Sequence, residues 1–93
     1  LFVGTVVIDL NLPGITSLKE KRRRLKSLLA RLQNRFNISV AEVAHNDSLR
    51  LAQIGAAVVT NEKPFADQVI ASVVNVIQGE PEMHIIDYRV EIL

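Results

Sequence analysis

Apolar and polar positions alternate at the start of the chain, where Phe2, Gly4, Val6, Ile8 and Leu10 interleave with Val3, Thr5, Val7 and Asp9. A period of two, rich in β-branched side chains, predicts a strand over residues 2–10 with both faces partly apolar. Asn11-Leu12-Pro13-Gly14 interrupts it, because proline fixes φ and glycine supplies a positive φ for a turn. The period then lengthens. Ser17-Leu18-Lys19-Glu20 has the spacing of a capping box. Leu18, Leu25, Leu28, Leu29, Leu32 and Phe36 gather on one side of a helix that the pattern ends near Phe36-Asn37. Ile38 to His45 reads as a second strand, Asn46-Asp47-Ser48 as a turn, and Leu51 to Thr60 as a third strand holding the small run Gly55-Ala56-Ala57.

The stretch that follows carries mixed signals, since Val69, Ile70, Val73, Val74, Val76 and Ile77 are β-branched. Pro64 suits a first helical turn, Gly79 suits a C-cap, and Phe65, Val69, Val73 and Ile77 repeat every four residues, so a second helix is predicted. Residues 83–92 close as a strand with Ile86, Tyr88, Val90 and Ile92 facing one way and Asp87, Arg89 and Glu91 the other. The order β-α-β-β-α-β within 93 residues predicts one α+β domain over residues 1–93, a ferredoxin-like sandwich. Right-handed crossovers put both helices on one face of a four-stranded antiparallel sheet ordered fourth, first, third, second. The other face, with Val3, Thr5, Val7, Gln53, Ala57 and Val59, is left open. Its small apolar residues make a homodimer through this face or through an edge strand an expectation.

Composition narrows the chemistry. The chain has no cysteine, which excludes disulfides, thiolate metal sites and cysteine nucleophiles and fits a cytoplasmic location. No apolar run is long enough for a membrane-spanning helix. Leu1 to Ile8 is too short for a signal peptide. The formal net charge of +1 conceals a strong asymmetry. Residues 15–36 hold eight basic residues (Lys19, Lys21, Arg22, Arg23, Arg24, Lys26, Arg31 and Arg35) against one acid, Glu20, a net of +7. The rest holds Arg50, Lys63 and Arg89 against nine acids, a net of −6.

On a helical wheel Lys19, Arg23 and Lys26 lie on one flank, and Arg24, Arg31 and Arg35 form a line on the opposite one. Lys21 and Arg22 border the apolar stripe, where their stems can lie on the core while their heads reach water. Cations in the first turns of a helix oppose its dipole, and like charges four apart repel, so helix stability alone does not select this arrangement. One reading is a cradle in which all eight residues meet the phosphates of a structured RNA or a ribosomal particle. A second is a solvated face balanced by the nine acids elsewhere. A third is docking of an acidic protein partner by a homodimer.

The four aromatic residues, Phe2, Phe36, Phe65 and Tyr88, each fall on a periodic apolar face and are expected in the core. Base stacking on the open sheet, as in RNA-recognition motifs, is therefore not expected, and any RNA would be held through its backbone on the helix side. His45, Asp47 and His84 do not supply the three or four convergent ligands of a metal site, so neither a metal nor another cofactor is expected. No nucleophile or oxyanion loop accompanies His45 and Asp47. No catalytic residue is assigned, and the chain is not expected to be an enzyme. The loop after the first strand lacks the arginine of the acylphosphatases. The helix start with Lys19 and Lys21 still leaves a small phosphorylated ligand as a lesser alternative.

Leu12-Pro13-Gly14 followed by Ser17-Leu18-Lys19-Glu20-Lys21-Arg22 resembles the signature of the YlxP-like bacterial family, a domain of unknown function (DUF503). The similarity continues through Arg35-Phe36-Asn37-Ile38-Ser39-Val40-Ala41-Glu42-Val43 to the closing Asp87-Tyr88-Arg89-Val90-Glu91-Ile92-Leu93. The resemblance implies a ferredoxin-like fold, a cytoplasmic protein and a genomic setting among transcription and translation factors. It implies no activity. Ala44-His45-Asn46-Asp47-Ser48 departs from the acidic or glutamine-containing form of that loop in the family.

Overall fold

The computed structural model describes residues 1–93, in the order β1 (Phe2–Asn11), α1 (Leu18–Arg35), β2 (Ser39–Ala44), β3 (Leu51–Thr60), α2 (Lys63–Gln78) and β4 (His84–Ile92). The four strands form one antiparallel sheet ordered β2-β3-β1-β4 with both helices on one face, the ferredoxin-like arrangement expected from the element order. β1 is central: Val6 lies opposite Ala56 of β3 and Val90 of β4. The helix-facing residues Val6, Ile8, Leu10, Ala52, Ile54, Ala56 and Val58 are buried against Leu25, Leu28 and Leu32 of α1 and Ala66, Ile70, Val73, Val74 and Ile77 of α2.

Burial decides α2. Its β-branched residues each cost a few tenths of a kcal/mol as helix formers, whereas burying a Val or Ile side chain gains about 1.5–3 kcal/mol. The buried stripe is offset from the four-residue repeat seen in the sequence. Ala66 and Ile70 face the core, Val69 is half-buried and Phe65 is exposed. The helix can settle close to the sheet because Gly4 lies beneath it. A Cβ at that position would stand 2.8 Å from Ile70 Cδ1 and 3.1 Å from Ala66 Cβ.

Several local expectations are corrected. No glycine has a positive φ, so the Pro13-Gly14 turn is made without one. The only residue in the left-handed region is His45, at φ 63°. Gly79 does cap α2, but at φ −77°. The aromatics are not core residues: Phe2 and Phe36 are half-buried, and Phe65 and Tyr88 are exposed. Ile86 does not share a ladder with Tyr88 and Val90. The β1–β4 register shifts between Asp9 and Leu10, from Asp87 to Ile85, and Ile86 is skipped as a bulge. The open face carries Val3, Thr5, Val7, Ser39, Ala41, Val43, Gly55, Ala57 and Val59, with Asp9 of β1 accepting from Gln53 of β3 on one side (2.8 Å) and pairing with Arg89 of β4 on the other (3.5 Å). No helix is long and apolar enough to cross a membrane.

Candidate functional site

The cation-rich helix begins at Ser17, whose hydroxyl accepts from the Glu20 amide at 3.1 Å. The other half of the capping box is diverted. The Glu20 carboxylate accepts from the Thr16 hydroxyl (3.2 Å) and pairs with Arg24 (3.1 Å), one turn on. An 18-residue helix with Leu25, Leu28 and Leu32 inward must point the residues between them outward, and three groups of cations result.

Lys21 is the clearest departure from expectation. Its side chain does not snorkel to solvent. It is 0% exposed, lying in the buried stripe with the leucines. The ammonium donates to the carbonyls of His45 (2.6 Å) and Ser48 (2.7 Å) and stands 3.1 Å from Glu42 Oε2. That oxygen has no hydrogen-bond partner, so it is held by charge, while the directed bonds go to the loop between β2 and β3. The left-handed backbone at His45 turns that carbonyl toward the ammonium's side of the loop. Lys21 is therefore a structural pin and is withdrawn from the predicted phosphate-binding surface.

Arg24 and Arg31 are also committed. Arg24 pairs with Glu82 as well as Glu20, and Arg31 pairs with Glu80. Glu80 and Glu82 flank Pro81 in the segment joining α2 to β4, and Met83, buried beside them, anchors that segment to the core. The line of Arg24, Arg31 and Arg35 is thus broken into two neutralised residues and one outlier. Arg35, exposed, carries its guanidinium 5.6 Å from the centroid of the Phe36 ring.

Lys19, Arg22, Arg23 and Lys26 form the third group. All four are exposed and none is in an ion pair. They line a shallow concavity with Ser17 and Glu20 at the start of α1, on the side away from the buried stripe. Of the eight basic residues in the sequence segment, these four are brought together as a free positive face.

The remaining candidates do not converge. His45, Asp47 and His84 are exposed, and nowhere do three or more His, Asp or Glu side chains gather as a metal site would require.

A family model described as "Protein of unknown function (DUF503)" matches residues 3–90. The chain belongs to the DUF503 family. It is 36% identical over 67 residues to the uncharacterized protein YlxP of Bacillus subtilis (strain 168), an alignment covering 72% of this chain and 73% of that one. Among solved structures, the de novo designed protein Foldit4 is similar at a TM-score of 0.57 and 10% identity, covering 100% of this chain and 97% of that one. The At3g17210 protein of Arabidopsis thaliana is similar at 0.53 and 14%, covering 98% and 92%. At such identities these two share a fold with the DUF503 chain and nothing more. Neither the family's description nor the relative's name assigns an activity.

Proposed function

We propose that this DUF503 chain is a non-enzymatic accessory module of the cytoplasm that binds structured RNA or a ribosomal particle through Lys19, Arg22, Arg23 and Lys26, with Arg35 as an outlying contact. The observation that supports this reading is the free positive face itself. Four exposed cations without carboxylate ion pairs gather on one face of the N-terminal half of α1, Lys19 in its dipole-disfavoured first turn, while acids elsewhere on the chain are matched to Arg24, Arg31 and Lys21. An anionic ligand on this face would offset the mutual repulsion of its four cations. Contacts of this kind go to phosphates and carry no base information, and the open sheet face offers no aromatic platform for stacking.

The test is fluorescence anisotropy on an RNA hairpin at several salt concentrations. Four phosphate contacts should give a slope of log affinity against log salt of about −3, since each contributes about −0.7 to −0.9. The quadruple variant Lys19→Gln, Arg22→Gln, Arg23→Gln, Lys26→Gln should lose binding and keep or raise its melting temperature. Arg24→Gln with Arg31→Gln should bind nearly as the parent does. An undiminished affinity in the quadruple variant would end this reading.

A further inference from the structure

β4 is the free edge of the sheet beside α2, and its backbone phase, charges and apolar side chains all match a second copy of itself. We propose that the chain forms a two-fold dimer in which β4 pairs antiparallel with β4 of a second copy, Val90 opposite Val90, giving one continuous sheet. This proposal stands independently of the RNA reading.

The backbone phase comes first. Leu93 donates to the Val3 carbonyl (2.8 Å) and accepts from the Val3 amide (2.9 Å). In an antiparallel ladder successive residues direct their N–H and C=O to opposite sides. Glu91, Arg89 and Asp87 therefore bond toward β1, in keeping with the bond from Thr5 Oγ1 to the Glu91 carbonyl (3.3 Å). Tyr88, Val90 and Ile92 turn theirs to the free edge.

A two-fold axis through an antiparallel pair must pass through one residue position, and charge selects which. With the axis at Arg89, Arg89 faces its own copy and Asp87 faces Glu91, so like charges oppose one another across the ladder. With the axis at Tyr88, Ile86 must enter the ladder, yet Ile86 is the residue the bulge has thrown out of register. With the axis at Val90, every outward N–H and C=O of Tyr88, Val90 and Ile92 finds a partner, the Tyr88 amide exchanging its bond to Asp87 Oδ1 of its own chain (2.8 Å) for the Ile92 carbonyl of the second copy. Arg89 then faces Glu91 of the second copy twice over, and Tyr88 faces Ile92 twice over.

The side chains agree with that choice. On the helix side Tyr88 is 44% exposed and Val90 46%, and with Ile70, Ala71 and Val74 of α2 they line a groove that Asp67, Asn75 and Gln78 border with polar groups. A second copy would fill it with its own Tyr88, Val90 and Ile92. Natural edges are blunted by proline, lysine, shortness or bulges. β4 runs nine residues without proline or lysine, and its Asp87–Ile92 stretch is in regular register with β1.

Sedimentation equilibrium on the full chain tests this. A mass near twice 10.3 kDa is expected for the parent. Arg89→Glu opposes two carboxylates, and Glu91→Arg opposes two guanidinium groups. Each should raise the dimer dissociation constant by about tenfold or more through its two symmetry-related sites. The double variant Arg89→Glu, Glu91→Arg restores opposite charges and should recover the dimer. Arg89 also neighbours Asp9 in its own chain, so Glu91→Arg, which leaves that contact intact, serves as the cleaner single variant. Val90→Pro removes the edge amide at the axis and should yield a folded monomer by circular dichroism. A parent that stays monomeric, single reversals without effect, or a double variant that remains dissociated would each overturn the proposal.

Discussion

Lys21→Met isolates the pin beneath the loop between β2 and β3. The substitution keeps an unbranched stem in the leucine stripe of α1 and deletes only the ammonium, which meets two carbonyls and the Glu42 carboxylate. Removing one member of a fully buried ion pair costs about 3–5 kcal/mol, because the other charge is left uncompensated. Here the stranded Glu42 side chain is 15% exposed, and the two carbonyls belong to a loop whose tip faces water. Rehydration therefore recovers part of that loss, and the expected cost is about 2–3 kcal/mol. Urea unfolding reads it directly. With a slope of about 1 kcal/mol/M, the midpoint should fall by about 2–3 M at unchanged slope. Lys21→Met with Glu42→Leu removes the stranded charge too, and should regain at least about half the loss, as apolar replacements of buried pairs do. The reasoning fails if Lys21→Met sits within about 0.5 kcal/mol of the parent, the range of an ordinary surface substitution. The ammonium would then be reaching water after all.

Two further outcomes follow from the geometry. Gly4→Ala pushes a methyl into Ile70 and Ala66, and a thermal or urea melt should show a loss of about 1–3 kcal/mol, the range for overpacking a close contact. Glu80→Gln with Glu82→Gln releases Arg31 and removes one of the two carboxylates on Arg24, which keeps its pair with Glu20. It should strengthen RNA binding and steepen the salt dependence by about 1 in slope, as one phosphate contact is gained at Arg31, with anisotropy as the readout.

The fold was legible because the elements announce their own periods, α2 least clearly, where β-branched residues blur the helical one. The alternation in β1 and the leucine stripe of α1 are local properties, and the order of six elements then leaves few topologies. The charged surface was legible only in outline. That Lys21 borders the apolar stripe is visible on a helical wheel, but the carbonyls that capture it lie 24 and 27 residues further along. Glu20, one partner of Arg24, stands four residues before it, but Glu82 and Glu80, which pair with Arg24 and Arg31, sit beyond a whole helix, and nothing near the arginines in sequence points to them. The exposed aromatics were misjudged for a related reason. Phe65 opens its helical pattern and Tyr88 lies on an edge strand, and such a position becomes core or surface according to how far its neighbour reaches across it. His45 carries no turn signal of its own. Its left-handed backbone belongs to the loop that closes over Lys21.

The register break in β2 gives the molecule a handedness of growth. Glu42 pairs with Ile54 and Ala44 with Gln53, leaving Val43 outside the ladder on a strand of only six residues. That kink spoils the far border as a template for another chain, whereas the bulge of β4 falls at Ile86 and leaves Asp87–Ile92 in unbroken register. A sheet able to extend from only one of its two borders terminates once that border is used, so it can become a pair but cannot propagate into a fibre.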